Sequence, residues 1–164
     1  LLADAGYPDG ITVEIAVCDG TRKKIGETLQ GMLKKANINV EIKNMDMSAL
    51  AEYATGDNHD FIPQVAKGYI PDADSELTDK VVSTSWGNFS RMNVPRVDEL
   101  MALARQESDD SKRIEMYHEV QDIVHDGAHI IPLYYVNNVS AANADLKGFK
   151  TRSDLSYHVW ELSW

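Results

Sequence analysis

The order strand, helix, strand across residues 11–43 constrains this chain more than any other feature. Ile11-Thr-Val-Glu-Ile-Ala-Val17 alternates apolar with polar or small residues, as a half-buried strand does. Asp19 and Thr21 are N-cap candidates, and Ile25, Leu29, Met32, Leu33 and Ala36 recur at helical spacing. The pattern predicts an amphipathic helix over 21–36, stopped at Asn37. Asn39-Val-Glu-Ile-Lys43 then alternates again. Such a β-α-β unit needs a parallel pair and a right-handed crossover, so it places the chain in the α/β class.

Downstream, Asp46 or Ser48 opens a short helix through Leu50 and Tyr53 that ends by Gly56. Residues 60–66 read as a third strand, with Pro63 pointing to an edge or bulge. A helix is predicted within 71–84 around Leu77, Val81 and Val82, followed by a loop over 83–93 that holds Trp86, Phe89 and Arg91. Pro95 suits the first turn of the next helix, where Asp98 and Glu99 favour the positive end of the dipole. Its buried stripe is Val97, Leu100, Met101 and Ala104. Asp109 or Asp110 caps another helix with Ile114, Tyr117, Gln121 and Val124 along one side and Gly127 as its stop. Strands are expected at 130–136 and 139–144, and strand-like alternation returns at 157–162.

With 164 residues the chain is long enough for one domain with a true core. No run of about 18 apolar residues exists to cross a membrane as a helix. Net charge is −10 and no basic stripe stands out, which disfavours nucleic acid, because phosphate neutralisation needs clustered Lys and Arg. The one cysteine, Cys18, has no internal disulfide partner and is expected to be a small core residue.

Signals for catalysis or metal binding are weak. His118 and His125 can share a helix face, but Gly127 separates His125 from His129, and zinc sites of the His-Glu-x-x-His kind need an unbroken helix. No metal or other cofactor is expected. Asp72 with Asp74, Asp98 with Glu99, and Asp109 with Asp110 all sit at predicted turns or helix starts, where capping explains them better than acid–base chemistry does. Neither a nucleophile elbow nor a phosphate-binding glycine loop is present. Tyr69, Trp86 and Phe89 lie in predicted loops, where binding residues concentrate on an α/β scaffold.

Several motifs in fixed order resemble one family. These are Leu1-Leu-Ala-Asp-Ala-Gly-Tyr-Pro-Asp-Gly-Ile11, Leu29-Gln30 with Leu33-Lys34 and Ile38-Asn-Val-Glu41, Asp60-Phe61, Gly68-Tyr-Ile-Pro-Asp-Ala-Asp74, Val94-Pro-Arg-Val-Asp-Glu-Leu100, Arg113 with Tyr117, Gln121 and Asp126, and Ile131-Pro-Leu-Tyr-Tyr135. Together they are similar to the C-terminal part of the extracellular solute-binding proteins of the peptide/nickel type, bacterial solute-binding protein family 5. Each motif alone is weak, and their shared order carries the resemblance.

The resemblance implies the C-terminal lobe of a periplasmic-binding-protein-like II fold, a mixed sheet flanked by helices. The lobe would span 1–145, with 146–164 as a tail that returns toward the other lobe. Family chains are far longer, and the opening residues read as a helix end running into a turn, so a fragment is expected. It further implies a non-enzymatic, extracytoplasmic binder, periplasmic or lipid-anchored at the cell surface. That binder captures an oligopeptide, dipeptide, metal chelate or other small solute between two lobes and delivers it to the ABC permease subunits in the membrane. Its partners would be that solute, the permease and the N-terminal lobe of the same chain. The cleft residues it points to are Lys67, Gly68 and Tyr69, then Trp86, Asn88 and Arg91. The sequence departs from the family where peptide binders hold the peptide amine with an Asp, since that position falls on Tyr69 or Gly68. The competing readings are a self-contained α/β enzyme, which requires a closed pocket of converging polar groups, and a non-catalytic interaction domain, which requires a flat apolar patch.

Overall fold

A computed structural model describes residues 1–56, 59–64, 72–135, 137, 139–151, 156 and 158–164. The chain divides into two compact units, Leu1–Val65 and Ala66–Trp164.

In the first unit, one helical turn at the start closes through the Ala5 amide on the Leu1 carbonyl (2.9 Å) and gives way to a turn at Gly6, φ 92°. Strand β1 (Ile11–Val17) pairs in parallel with β2 (Ile38–Asn44), from Ile11 opposite Ile38 to Val17 opposite Asn44. Helix α1 (Gly20–Leu33) makes the crossover. The Asp19 side chain caps it, accepting the Arg22 amide at 2.8 Å. The last turn tightens into a short 3-10 segment, Lys34–Ala36, and Asn37 ends it at φ 61°, a conformation asparagine tolerates.

The predicted α1 stripe is partly corrected. Leu29 and Leu33 pack on the cluster of Ile15, Val17 and Val40, whereas Met32 is 61% exposed and Ala36 lies outside the helix. Buried Gly26 brings the helix close to the sheet. Gly10 stands at φ 88°, where a Cβ would lie 2.2 Å from the Asn37 carbonyl oxygen, so only glycine fits this turn.

On its other side β1 meets, among the described residues, one bridge at Phe61: the Phe61 amide donates to the Glu14 carbonyl (3.1 Å), and its carbonyl accepts from the Ala16 amide (3.0 Å). Instead of the strand expected over 60–66, the described residues show one bridge. Pro63 is buried, and its carbonyl accepts from Arg22 Nε at 3.0 Å. Helix α2 (Met47–Thr55) is capped by Asp46, which accepts the Ala49 amide at 2.8 Å, and it buries Leu50 and Ala54. Cys18 departs from its expected core position: it is half-buried, with its Sγ 3.8 Å from Met47 Sδ.

The second unit is helical where it is regular. Helices α3 (Ala73–Val81), α4 (Pro95–Ala104) and α5 (Asp110–Asp126) enclose a core of Val81, Met92, Val97, Leu100, Met101, Ala104, Tyr117 and Val120. The α4 stripe is the predicted one. The α5 stripe is rotated: Tyr117 and Val120 are buried, Met116, Ile123 and Val124 pack beside them, and Ile114 (51% exposed) and Gln121 face outward. Asp109 caps α5 through the Ser111 and Lys112 amides at 2.9 and 3.2 Å. The left-handed residue after α5 is Ala128, φ 52°, rather than Gly127.

The expected strands at 130–136 and 139–144 do not form among their described residues. A strand needs a ladder partner, and none for the backbone of 130–135 is found among the described residues; Ile131, Leu133, Tyr134 and Tyr135 stand exposed. Near the C-terminus a short 3-10 turn, Val159–Glu161, replaces the alternating strand, and Lys147 bridges Ser163 antiparallel.

Candidate ligand-binding loop

Lys67, Gly68 and Tyr69, foremost among the sequence-predicted cleft residues, lie outside the described residues. The other three, Trp86, Asn88 and Arg91, fall on one loop between α3 and α4, and that loop is built from the inside.

At its base, the carboxylate of Asp98 in the first turns of α4 takes both donors of Ser83: the amide at 2.8 Å and the hydroxyl at 2.6 Å. Turns follow, with the Ser85 amide on the Val82 carbonyl (3.0 Å) and the Asn88 amide on Ser85 (3.2 Å). At Gly87 the chain runs so close to Asp79 that a Cβ would stand 2.3 Å from the carboxylate. Asn88 is only 7% exposed. Its amide group donates to the Met92 carbonyl (2.8 Å), and its oxygen accepts from the Met92 amide (3.1 Å) and the Ser90 hydroxyl (3.0 Å). A buried amide must find partners, and Asn88 finds them within the loop, so its role here is to shape the turn. Met92 follows it into the core at 1% exposure.

Outside this frame, Trp86 is 68% exposed, with its ring edge-on to Phe89 at 5.5 Å between centroids. Arg91 is exposed, and its backbone adopts φ 54°. The loop therefore presents an indole face and a guanidinium-bearing residue on a backbone held by buried bonds. Rigid aromatic anchors with placed polar groups are what recognition of a small solute needs.

The paired acids of the sequence have structural partners. Asp72 caps α3 through the Asp74 amide (2.8 Å) and receives Arg113 Nη2 on both oxygens at 2.8 Å. The Arg113 guanidinium holds the Asp72 carboxyl below its ordinary range, and the arginine also sits over the Tyr117 ring, 5.4 Å from its centroid. Asp74 pairs with Arg105 Nε at 3.0 Å. Arg96 bridges α4 to α5 through Glu119 and holds Glu99 as well, and the arginine keeps the Glu119 carboxyl below its usual range. The pairings of Arg96 with Glu119, Arg105 with Asp74 and Arg113 with Asp72 join residues 23, 31 and 41 positions apart, separations no helical or strand spacing reveals.

In the first unit Glu14 accepts from the Tyr53 hydroxyl and from Lys43 Nζ (3.0 Å), and Lys43 lies 4.8 Å from the Tyr53 ring centroid. The Tyr53 bond is the main reason the Glu14 carboxyl sits below its ordinary range, and burial followed by that same bond pushes Tyr53 up to about 12. Both groups are thereby fixed in the charge states they have in water at pH 7, which suits a structural clamp rather than proton transfer. No group of three or more metal-ligating side chains comes together among the described residues; His125 is paired to Asp126 at 3.2 Å.

The described residues thus comprise a parallel β-α-β unit and a helical unit that carries an aromatic loop. Comparison with known proteins gives these findings. No protein-family model matches the chain. It is 25% identical over 135 residues to the dipeptide-binding protein DppE of Bacillus subtilis (strain 168), covering 77% of this chain and 23% of that protein. Among solved structures, it matches the ABC transporter-associated periplasmic binding protein DppA of Helicobacter pylori, in complex with peptide STSA, with a TM-score of 0.65 and 26% identity. That match covers 78% of this chain and 26% of the other. HbpA2 from Haemophilus parasuis matches 99% of this chain and 34% of its own, with a TM-score of 0.77 and 19% identity, a likeness of fold. The chain is similar to the peptide-binding proteins of solute-binding protein family 5, and it spans about a quarter of the length of the curated relatives it matches.

Proposed function

We propose that this chain is the C-terminal lobe of the substrate-binding component of an ABC importer, working outside the cytoplasm in the periplasm or as a cell-surface lipoprotein. The lobe comprises residues 1–145, and 146–164 form the tail that returns toward a second, N-terminal lobe. The solute is a short peptide or a molecule of similar size and polarity, trapped between the lobes and passed to the permease subunits unchanged. Hinge closure follows from contacts that form only when both lobes touch the solute.

The observation that carries this reading is the loop of residues 82–94, which holds Trp86 and Arg91 outward on a hydrogen-bonded frame, in a chain whose relatives are dipeptide and tripeptide binders. Trp86 supplies an apolar wall and Arg91 a cationic partner, while Asn88 serves them by fixing the turn. Lys67, Gly68 and Tyr69 complete the ligand-facing set. Neither Gly68 nor Tyr69 is acidic, so the peptide amine is held by another group or the solute lacks one.

Titration calorimetry and native mass spectrometry of the two-lobed protein with dipeptides and tripeptides test the reading. Binding is expected, weakened by about tenfold in Trp86→Ala with no change in melting temperature, as for a truncated aromatic anchor. A protein that takes up no peptide, metal chelate or sugar, or a Trp86→Ala variant with unchanged affinity for a peptide that binds, would remove the loop from the site.

A further inference from the structure

Asp98 and Glu99 are neighbours near the start of α4, Asp98 in its first turn and Glu99 just after it. Their surroundings differ. Glu99 is exposed and pairs with Arg96 at 2.8 Å. Asp98 is half-buried, and each of its oxygens receives one donor of a residue 15 positions earlier, Ser83, just past the end of α3. A carboxylate that accepts two donors from one residue fixes that residue's backbone and side chain together. Ser83 opens the loop that carries Trp86, and at the far end Asn88 clasps Met92. Two side-chain anchors therefore stand out in this loop. The inner one is the Asn88 amide clasp within the turn, and the outer one is the Asp98 carboxylate, which ties the start of the loop to the helix after it.

We propose that Asp98 is a positioning residue for the ligand-binding loop: acting through Ser83, it holds the backbone that aims Trp86, and so sets how well the site is formed before a solute arrives. This rests on the binding role argued above. A loop already in its bound conformation loses less conformational entropy on binding. Asp98 itself touches no solute. Removing it loosens residues 83–91 while leaving the α4–α5 core, which is made by Val97, Leu100, Met101, Tyr117 and Val120, in place.

Backbone hydrogen exchange on the whole chain reads this without any ligand. In Asp98→Ala, amides over 83–91 are expected to exchange about tenfold faster, while those of 97–104 and 116–124 keep their protection. Ser83→Ala, which loses the hydroxyl bond and keeps the amide bond, should show a smaller increase in the same segment, and Ser83→Thr should restore protection. Glu99→Ala removes a charge from the same turns and should leave 83–91 unchanged. Unchanged exchange over 83–91 in Asp98→Ala, or an increase matched by 97–104 and 116–124, would overturn the proposal. Should Asp98→Ala fail to fold, the Ser83 pair decides by the same comparison. Titration of the two-lobed protein with the dipeptide alanyl-phenylalanine separates the two readings: no binding there counts against the peptide-binding role, and the exchange pattern still decides the role of Asp98.

Discussion

Glu14 shows how a single side chain can tie three parts of the first unit together. Its carboxylate accepts from Tyr53 on α2 and Lys43 on β2, while its own amide donates to Asp60 at 2.7 Å. Because Glu14 in the folded chain titrates below its ordinary range, it contributes stability that is present above that range and lost as pH falls through it. Tyr53→Phe removes the largest cause of the shift and is expected to cost about 1 kcal/mol at pH 7, with a smaller difference from the unmodified chain in acid. Urea midpoints at the two pH values check this; a difference that does not shrink in acid would count against the clamp. Asp72 follows the same sign. Arg113→Met should raise the Asp72 pKa toward the ordinary aspartate value, readable by carboxyl NMR titration, and should lower the stability of the second unit at neutral pH, with the difference shrinking as Asp72 is protonated in acid. The sequence showed Asp72 as a cap and Arg113 as a family position. That they meet over 41 residues came only from the fold.

At the scale of elements, two glycines predict opposite outcomes. Gly26 lies in the middle of α1, and a Cβ there would stand 3.5 Å from Val17 Cγ1, an ordinary contact. Gly26→Ala should therefore raise stability by about 0.5–1 kcal/mol, through helix propensity. Gly10→Ala should lower it by about 2 kcal/mol or more, because a left-handed backbone and the Asn37 carbonyl both oppose the methyl. Thermal melts of the pair give the comparison directly. Asp109→Ala should cost about 1 kcal/mol through loss of the α5 cap. Helix starts, helix ends and the α4 stripe were legible because they depend on residues within one or two turns. The α5 stripe was not. Ile114 invites burial by its chemistry, but the face turned to the core is set by where α4 lies, and that face bears Tyr117 and Val120.

For the molecule as a whole, the C-terminal third is where local pattern and structure part. Tyr135 is fully exposed, Tyr134 is 60% exposed and Leu133 is 48% exposed, in a segment whose alternation asks for a sheet. The double substitution Leu133→Ser and Tyr135→Ser should change the unfolding free energy by less than about 1 kcal/mol, read from urea midpoints. It should also lower binding of a hydrophobic dye, and a large loss of stability instead would show these side chains to be buried in solution. The β-α-β order, the capping residues and the aromatic loop could all be read from the sequence, since periodicity and capping are properties of neighbouring residues. Tertiary structure alone decided the partners: Asp98 with Ser83, Asn88 turned inward while Trp86 faces out, and Phe61 bridged to Ile15 on β1. Each is a choice between chemically similar groups, made by which side chains the packed backbone brings within hydrogen-bond reach, and no local spacing in the chain encodes that distance.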